Sequence, residues 1–167
     1  SFLILKGYHP LKDFWITTGF LVDYIQSFFF KILGVSWFSY VAHAAFFNFF
    51  FTICLFFFFY YNKLNLYISL FYSLAISILF YPNIGTPFAY HHSFLFSLLS
   101  VIILLQIIKR SKQILWFLLP ATMIVSFFCM QTPSAYINLL IIFFLIFILI
   151  EQTEKFKINS FLLGSFL

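Results

Sequence analysis

Carboxylates are scarce in this chain, so each one carries weight. Four of the 167 residues are acidic, against nine Lys and Arg. Asp13 stands among other reactive types, in the stretch GYHPLKDFW that runs from Gly7 to Trp15. A carboxylate can take a proton from a hydroxyl while a neighbouring ammonium such as Lys12 holds an anionic leaving group. The same Asp can equally serve as a structural acceptor. His9 adds a further polar group, and Tyr8 and Trp15 add aromatics of the kind that anchor a chain at a membrane interface. A second polar collection, Asn83, Thr86, Tyr90, His91 and His92, falls in the segment 81–92, and a third, Gln131, Thr132 and Tyr136, in 130–136. Consecutive helical residues point about 100° apart, which makes one metal ion shared by His91 and His92 awkward. Substrate contact and an interfacial or capping place are the alternatives. A divalent metal is not indicated, and no cofactor is expected.

The elements that must position these groups are apolar helices. The chain is 64% hydrophobic and 8% charged, with a mean hydropathy of +1.08. So little charge cannot cover a water-facing surface of ordinary size. Apolar runs over 37–60, 64–81, 90–108, 113–130 and 134–150 each approach the length of a bilayer-crossing helix. The runs do not alternate polar with apolar, which excludes a β-barrel. The expected fold class is therefore all-α: a polytopic integral membrane protein with about five complete spans and a truncated sixth beginning near 158. Residues 17–33 are apolar but interrupted. Asp23, Ser27 and Lys31 recur at helical spacing beside Gln26, which predicts a juxtamembrane helix lying at the interface or packing its polar stripe on protein. The expected division is 1–36, a loop with that amphipathic helix, and 37–167, the helical bundle. The sequence begins without Met and ends inside an apolar stretch, so a longer protein is expected.

Charge in the loops predicts orientation. KRSK at 109–112 belongs in the cytoplasm, and alternation places NKLN at 62–65 and EQTEKFK at 151–157 there too. Loops 81–92 and 130–136 lack Lys and Arg and fall outside, as does the lead-in. The expected home is the plasma (inner) membrane, with every polar cluster on its extracytoplasmic face. Membrane lipid is the expected surrounding. The net charge of +5 is spread over short loops, so no nucleic-acid partner is expected. Cys54 and Cys129 lie in apolar runs as buried thiols. His43 and Asn48, inside the first long run, are expected to hydrogen-bond between helices.

The stretch LKGYHPLKDFWITTGFLVDYIQSFFFKILGVSWFSYVAHAAF resembles a region of the GT-C class of membrane glycosyltransferases, which use polyprenyl-phosphate-linked sugars. The class includes the protein O-mannosyltransferases and the aminoarabinose transferases of lipid A. The matching positions are Gly7, Pro10, Lys12, Asp13 and Phe14, then Gly19, Leu21, Tyr24 and Ile25, then Lys31, Leu33, Gly34, Val35 and Ser36. Phe20 stands where the class often has Pro. The resemblance implies that the lead-in is the first extracytoplasmic loop, with a membrane helix ahead of Ser1. It implies a polyprenyl-phosphate-linked sugar as donor, Asp13 as the base that activates the acceptor, and Lys12 at the lipid phosphate. Two departures stand out. The loop 81–92 carries Tyr90, His91 and His92 in place of an acidic residue, and Met130 precedes Gln131 where many members have Lys. His91 or His92 would then supply positive charge to the phosphate. Tyr8, His9, Tyr90 and Gln131 complete the expected substrate contacts.

Two other classes compete with an extracytoplasmic sugar transferase. A lipid or solute transporter would place ionisable groups near the bilayer midplane, whereas the runs 64–81 and 134–150 carry no charge. A non-catalytic membrane subunit would use the same polar loops to hold a partner, and sugar-transfer activity separates it from the enzyme.

Overall fold

The computed structural model describes residues 1–16, 18–82, 84–110, 112–151 and 164–165. These are helical, with one isolated bridge between Pro10 and Phe14 and no strand among them. In chain order the helices are α1 (Phe2–Leu5), α2 (Leu21–Leu33), α3 (Trp37–Tyr61), α4 (Leu66–Phe80), α5 (Ala89–Arg110), α6 (Gln113–Cys129) and α7 (Gln131–Glu151).

Each of the five complete apolar runs forms a helix at its expected place, but not all reach spanning length. Three helices are long and apolar enough to cross a bilayer: α3, α5 and residues 131–148 of α7. The 15 residues of α4 and 17 of α6 rise roughly 22 and 26 Å, short of the roughly 30 Å hydrocarbon core. Local chemistry trims α4. Asn65 caps its start by accepting from the Tyr67 N–H at 2.8 Å. Tyr81, ahead of Pro82, is extended (φ −67°, ψ 132°), as a residue before proline prefers. The sixth run, from about 158, lies outside the described residues apart from Gly164 and Ser165.

The chain divides into two compact units, Ser1–His91 and His92–Leu167. In the first, α1 packs on α2, α2 on α3 and α3 on α4. The connection between α2 and α3 is short because Gly34 takes a φ of +79°, open to glycine and strained for other residues. Ser36 then caps α3, its hydroxyl accepting from the Ser39 N–H at 3.4 Å. An α3 that is apolar all round has no single core face. Its few polar residues fix its partners instead. His43 Nδ1 meets Gln26 Oε1 of α2 at 2.8 Å. Asn48 Nδ2 donates to the Ser77 hydroxyl of α4 at 2.8 Å. Both residues thus hold helices together, as expected of them.

The second unit has a conventional apolar core. Ile103, Leu104 and Ile107 of α5 cluster with Trp116, Leu119 and Met123 of α6 and with Ile141 and Leu145 of α7. Hydroxyls stitch its helices: Ser100 donates to Thr122 Oγ1 at 2.9 Å, and Ser93 to the Met130 carbonyl at 2.9 Å.

Candidate functional site

The polar stripe on α2 does not face outward as a set. The buried residues of that helix are Val22, Gln26 and Phe30, at i, i+4 and i+8. Lys31 is exposed, and the Ser27 hydroxyl folds back onto the Tyr24 carbonyl at 2.8 Å. Gln26 is 1% exposed and directs its Oε1 to His43. The His43 ring stacks on Phe29, with centroids 4.8 Å apart and planes 11° apart. Asp23 accepts from Ser1: its Oδ1 lies 2.8 Å from the amino group and 2.5 Å from the hydroxyl.

Asp23 and Gln26 open onto a pocket of about 260 Å³. Ser1 of the lead-in, Thr18 and Gly19 ahead of α2, Tyr40 of α3, Pro87 and Phe88 ahead of α5 and Ala89 at its start also line it. That last segment is held irregular by Gly85, whose φ is +68° and whose N–H donates to the Pro82 carbonyl at 2.8 Å. Within the first unit the lead-in and the end of the 81–92 loop therefore meet at one mixed polar and aromatic cavity. Gln26 Nε2 has no hydrogen-bond partner among the described residues.

The expected site residues are placed as follows. Asp13 sits in an exposed turn, where its Oδ2 accepts the His9 N–H at 2.7 Å. The turn is tightened by the Asp13 N–H on the His9 carbonyl and by the Leu11 N–H on the Phe14 carbonyl, both at 2.9 Å. The His9 ring reaches α2, with Nδ1 3.1 Å from the Tyr24 hydroxyl. The structure thus joins His9, Asp13 and Tyr24 in one chain of contacts. Lys12 and Tyr8 are exposed on the same turn. Tyr90 is exposed and His91 bonds the Phe80 carbonyl, one turn into α5. In the second unit His92 is fully buried, and Gln131 is exposed at the start of α7, its carbonyl accepting from Ser134 at 3.2 Å.

Comparison with known proteins returns nothing: no family model, no curated protein and no solved structure matches this chain.

The second unit also holds cavities, of different character. One of about 500 Å³ lies between α6 and α7, walled by Met123, Phe127, Ile142 and Leu145, with Asn138 at its edge. Another of about 360 Å³ is entirely apolar, between α5 and α7. Asn138 spends its Nδ2 on the Met123 carbonyl at 3.0 Å. Among the described residues no three His, Cys, Asp or Glu side chains come together as a metal site. Asp23, Gln26 and Tyr40 were not among the expected contacts. The signal for them in the sequence was the interrupted polarity of 17–33, which marks polar residues without saying what they face.

Proposed function

We propose that this chain belongs to a membrane glycosyltransferase that moves a sugar from a polyprenyl-phosphate donor to an acceptor hydroxyl at the extracytoplasmic face of the plasma membrane. The observation that carries the reading is the convergence, inside the first unit, of the lead-in and the 87–89 segment on a pocket bearing a carboxylate, an amide and aromatic rings. The resemblance to the GT-C class covers the first of these segments, and loop charge predicts that both lie on the extracytoplasmic face. In this account the bond between the anomeric carbon and the phosphate oxygen breaks, and the phosphate leaves with the electron pair. The acceptor oxygen bonds to that carbon and gives its proton to a carboxylate, assigned by the resemblance to Asp13. Lys12 offers positive charge to the departing phosphate, an interaction strengthened where water is scarce. Tyr8, His9 and Tyr90 are the remaining proposed contacts.

The test is donor consumption. The purified protein in liposomes is given polyprenyl-phosphate-linked hexoses and pentoses together with a membrane extract as acceptor source. Mass spectrometry follows the release of polyprenyl phosphate. Consumption of a donor with transfer to the extract is the expected result. If every donor survives, the transferase reading falls and a non-catalytic membrane subunit replaces it.

A further inference from the structure

We infer that α4 crosses the membrane by drawing the bilayer thin around itself, so that its outward face takes phospholipids with short acyl chains. The first observation is length. The helix has 15 residues, Leu66–Phe80, and rises roughly 22 Å against a hydrocarbon core of roughly 30 Å. Neither end can lengthen it. Asn65 caps the start through the Tyr67 N–H, and Tyr81 is already extended ahead of Pro82. The segment beyond turns at Gly85 and leaves Ile84 exposed. Irregular backbone carries polar groups that lipid cannot satisfy, so that segment adds nothing to the apolar span.

The second observation is which side of α4 meets protein. Ser69 and Ser73 are its buried residues, and the Ser77 hydroxyl accepts from Asn48 of α3. These three stand at i, i+4 and i+8, one edge of small side chains that lets two helices approach closely. The large apolar side chains point away: Tyr67, Phe71 and Ile78 are 76, 67 and 76% exposed. Through the Phe59 and Tyr72 rings, 5.9 Å apart, that face is continuous with the outer side of α3, a helix long and apolar enough to cross. Acyl chains fit it because its polar edge is already spent on α3. The third observation is that other relief is closed. Tilting shortens a span further, and α4 tilts with α3, whose 25 residues rise roughly 37 Å. Snorkelling needs a long cation at each end. Lys63 stands before the start, but 81–92 has neither Lys nor Arg. Local thinning then matches the helix, and short chains form a thin layer at least cost. Thinning stands whether or not the protein transfers sugar.

The experiment puts one fluorescent reporter on each of two faces. Phe71→Trp reports on α4. Phe143→Trp, at a similarly exposed site, reports on α7, whose 21 residues rise roughly 31 Å. Each replaces an exposed ring by a ring, and Ile78→Trp on the same face of α4 repeats the reading if Phe71→Trp fails to fold. The purified variants are reconstituted in dioleoyl-phosphatidylcholine mixed with brominated dimyristoleoyl-, dioleoyl- or dierucoyl-phosphatidylcholine. Quenching beyond that of the wild type, with its Trp15, Trp37 and Trp116, gives the relative affinity of each chain length at each face. At Phe71→Trp the myristoleoyl lipid is expected to bind more tightly than the erucoyl lipid by about threefold or more. At Phe143→Trp that preference should be weaker or reversed. Equal preferences at the two faces, or a preference for the longest chain on α4, overturn the inference. So does quenching by none of the brominated lipids on α4, which would mean that protein, such as a second copy of the chain, covers this face.

Discussion

A large apolar cavity and a smaller polar one lie in different units of this protein. The second unit encloses about 500 Å³ between α6 and α7, walled almost wholly by side chains as apolar as a lipid tail. The first unit offers about half that volume, but lines it with Asp23, Gln26, Thr18 and Tyr40. In a water-soluble protein the larger apolar cavity would be the default site. Among membrane helices the weighting changes. Apolar space has no special attraction for a ligand when the surrounding solvent is itself hydrocarbon. Polar side chains are expensive there and are kept where they pair or act. The convergence of polar groups therefore marks function better than volume does. The second unit instead spends its polar residues on its own framework, as in the bonds from Ser93 to Met130 and from Ser100 to Thr122.

Substitutions can break that contrast or sharpen it. The largest effect is expected from Asp13→Asn, which keeps the shape of the turn and removes the proposed base. Sugar transfer should fall by about 10²–10⁴-fold with expression unchanged, measured as initial rate of donor consumption. Retention of most of the rate would move the proton-accepting role elsewhere, with Asp23 the nearest candidate in the sequence of α2. A smaller effect is expected from His43→Leu. It leaves Gln26 Oε1 buried beside an apolar side chain, at a cost of roughly 1–3 kcal/mol, readable as a lowered thermal midpoint in detergent. An unchanged midpoint would mean that the bond between His43 and Gln26 adds nothing to the joining of α2 and α3. The smallest effect belongs to the second unit. Asn138→Leu removes a bond to the Met123 carbonyl, worth about 0.6 kcal/mol on average for polar contacts between membrane helices. Donor consumption should stay at the wild-type rate. A large loss of transfer in this variant would return the larger cavity to consideration.

Much of the framework was legible in the sequence. The apolar runs located α3 to α7, because a helix that is apolar all round leaves an unbroken signature whatever it packs against. The ends were harder. The run 64–81 lost residues at both ends to the Asn65 cap and to Pro82, and α7 begins at Gln131, three residues early, since Pro133 is tolerated in a first turn. His43 and Asn48 were legible as helix-to-helix contacts because a polar side chain inside an apolar run needs a partner. Their partners were not, for Gln26 and Ser77 lie 17 and 29 residues away. The pocket was least legible. Asp23 could be seen to share a face with Lys31, but its neighbours Tyr40 and Pro87 to Ala89 are set by how α2 meets α3 and the 81–88 segment. No local periodicity records that.

The central claim is that the mixed pocket of the first unit is where this protein handles sugar. The most direct test is donor consumption in liposomes by the wild-type protein and by Thr18→Phe, which plugs that pocket from an exposed position. The account predicts that the wild type consumes a polyprenyl-phosphate-linked sugar and that the plugged variant, equally stable, is slower by about tenfold or more, a barrier increase of roughly 1.4 kcal/mol. A plugged variant that turns over at the wild-type rate would contradict it.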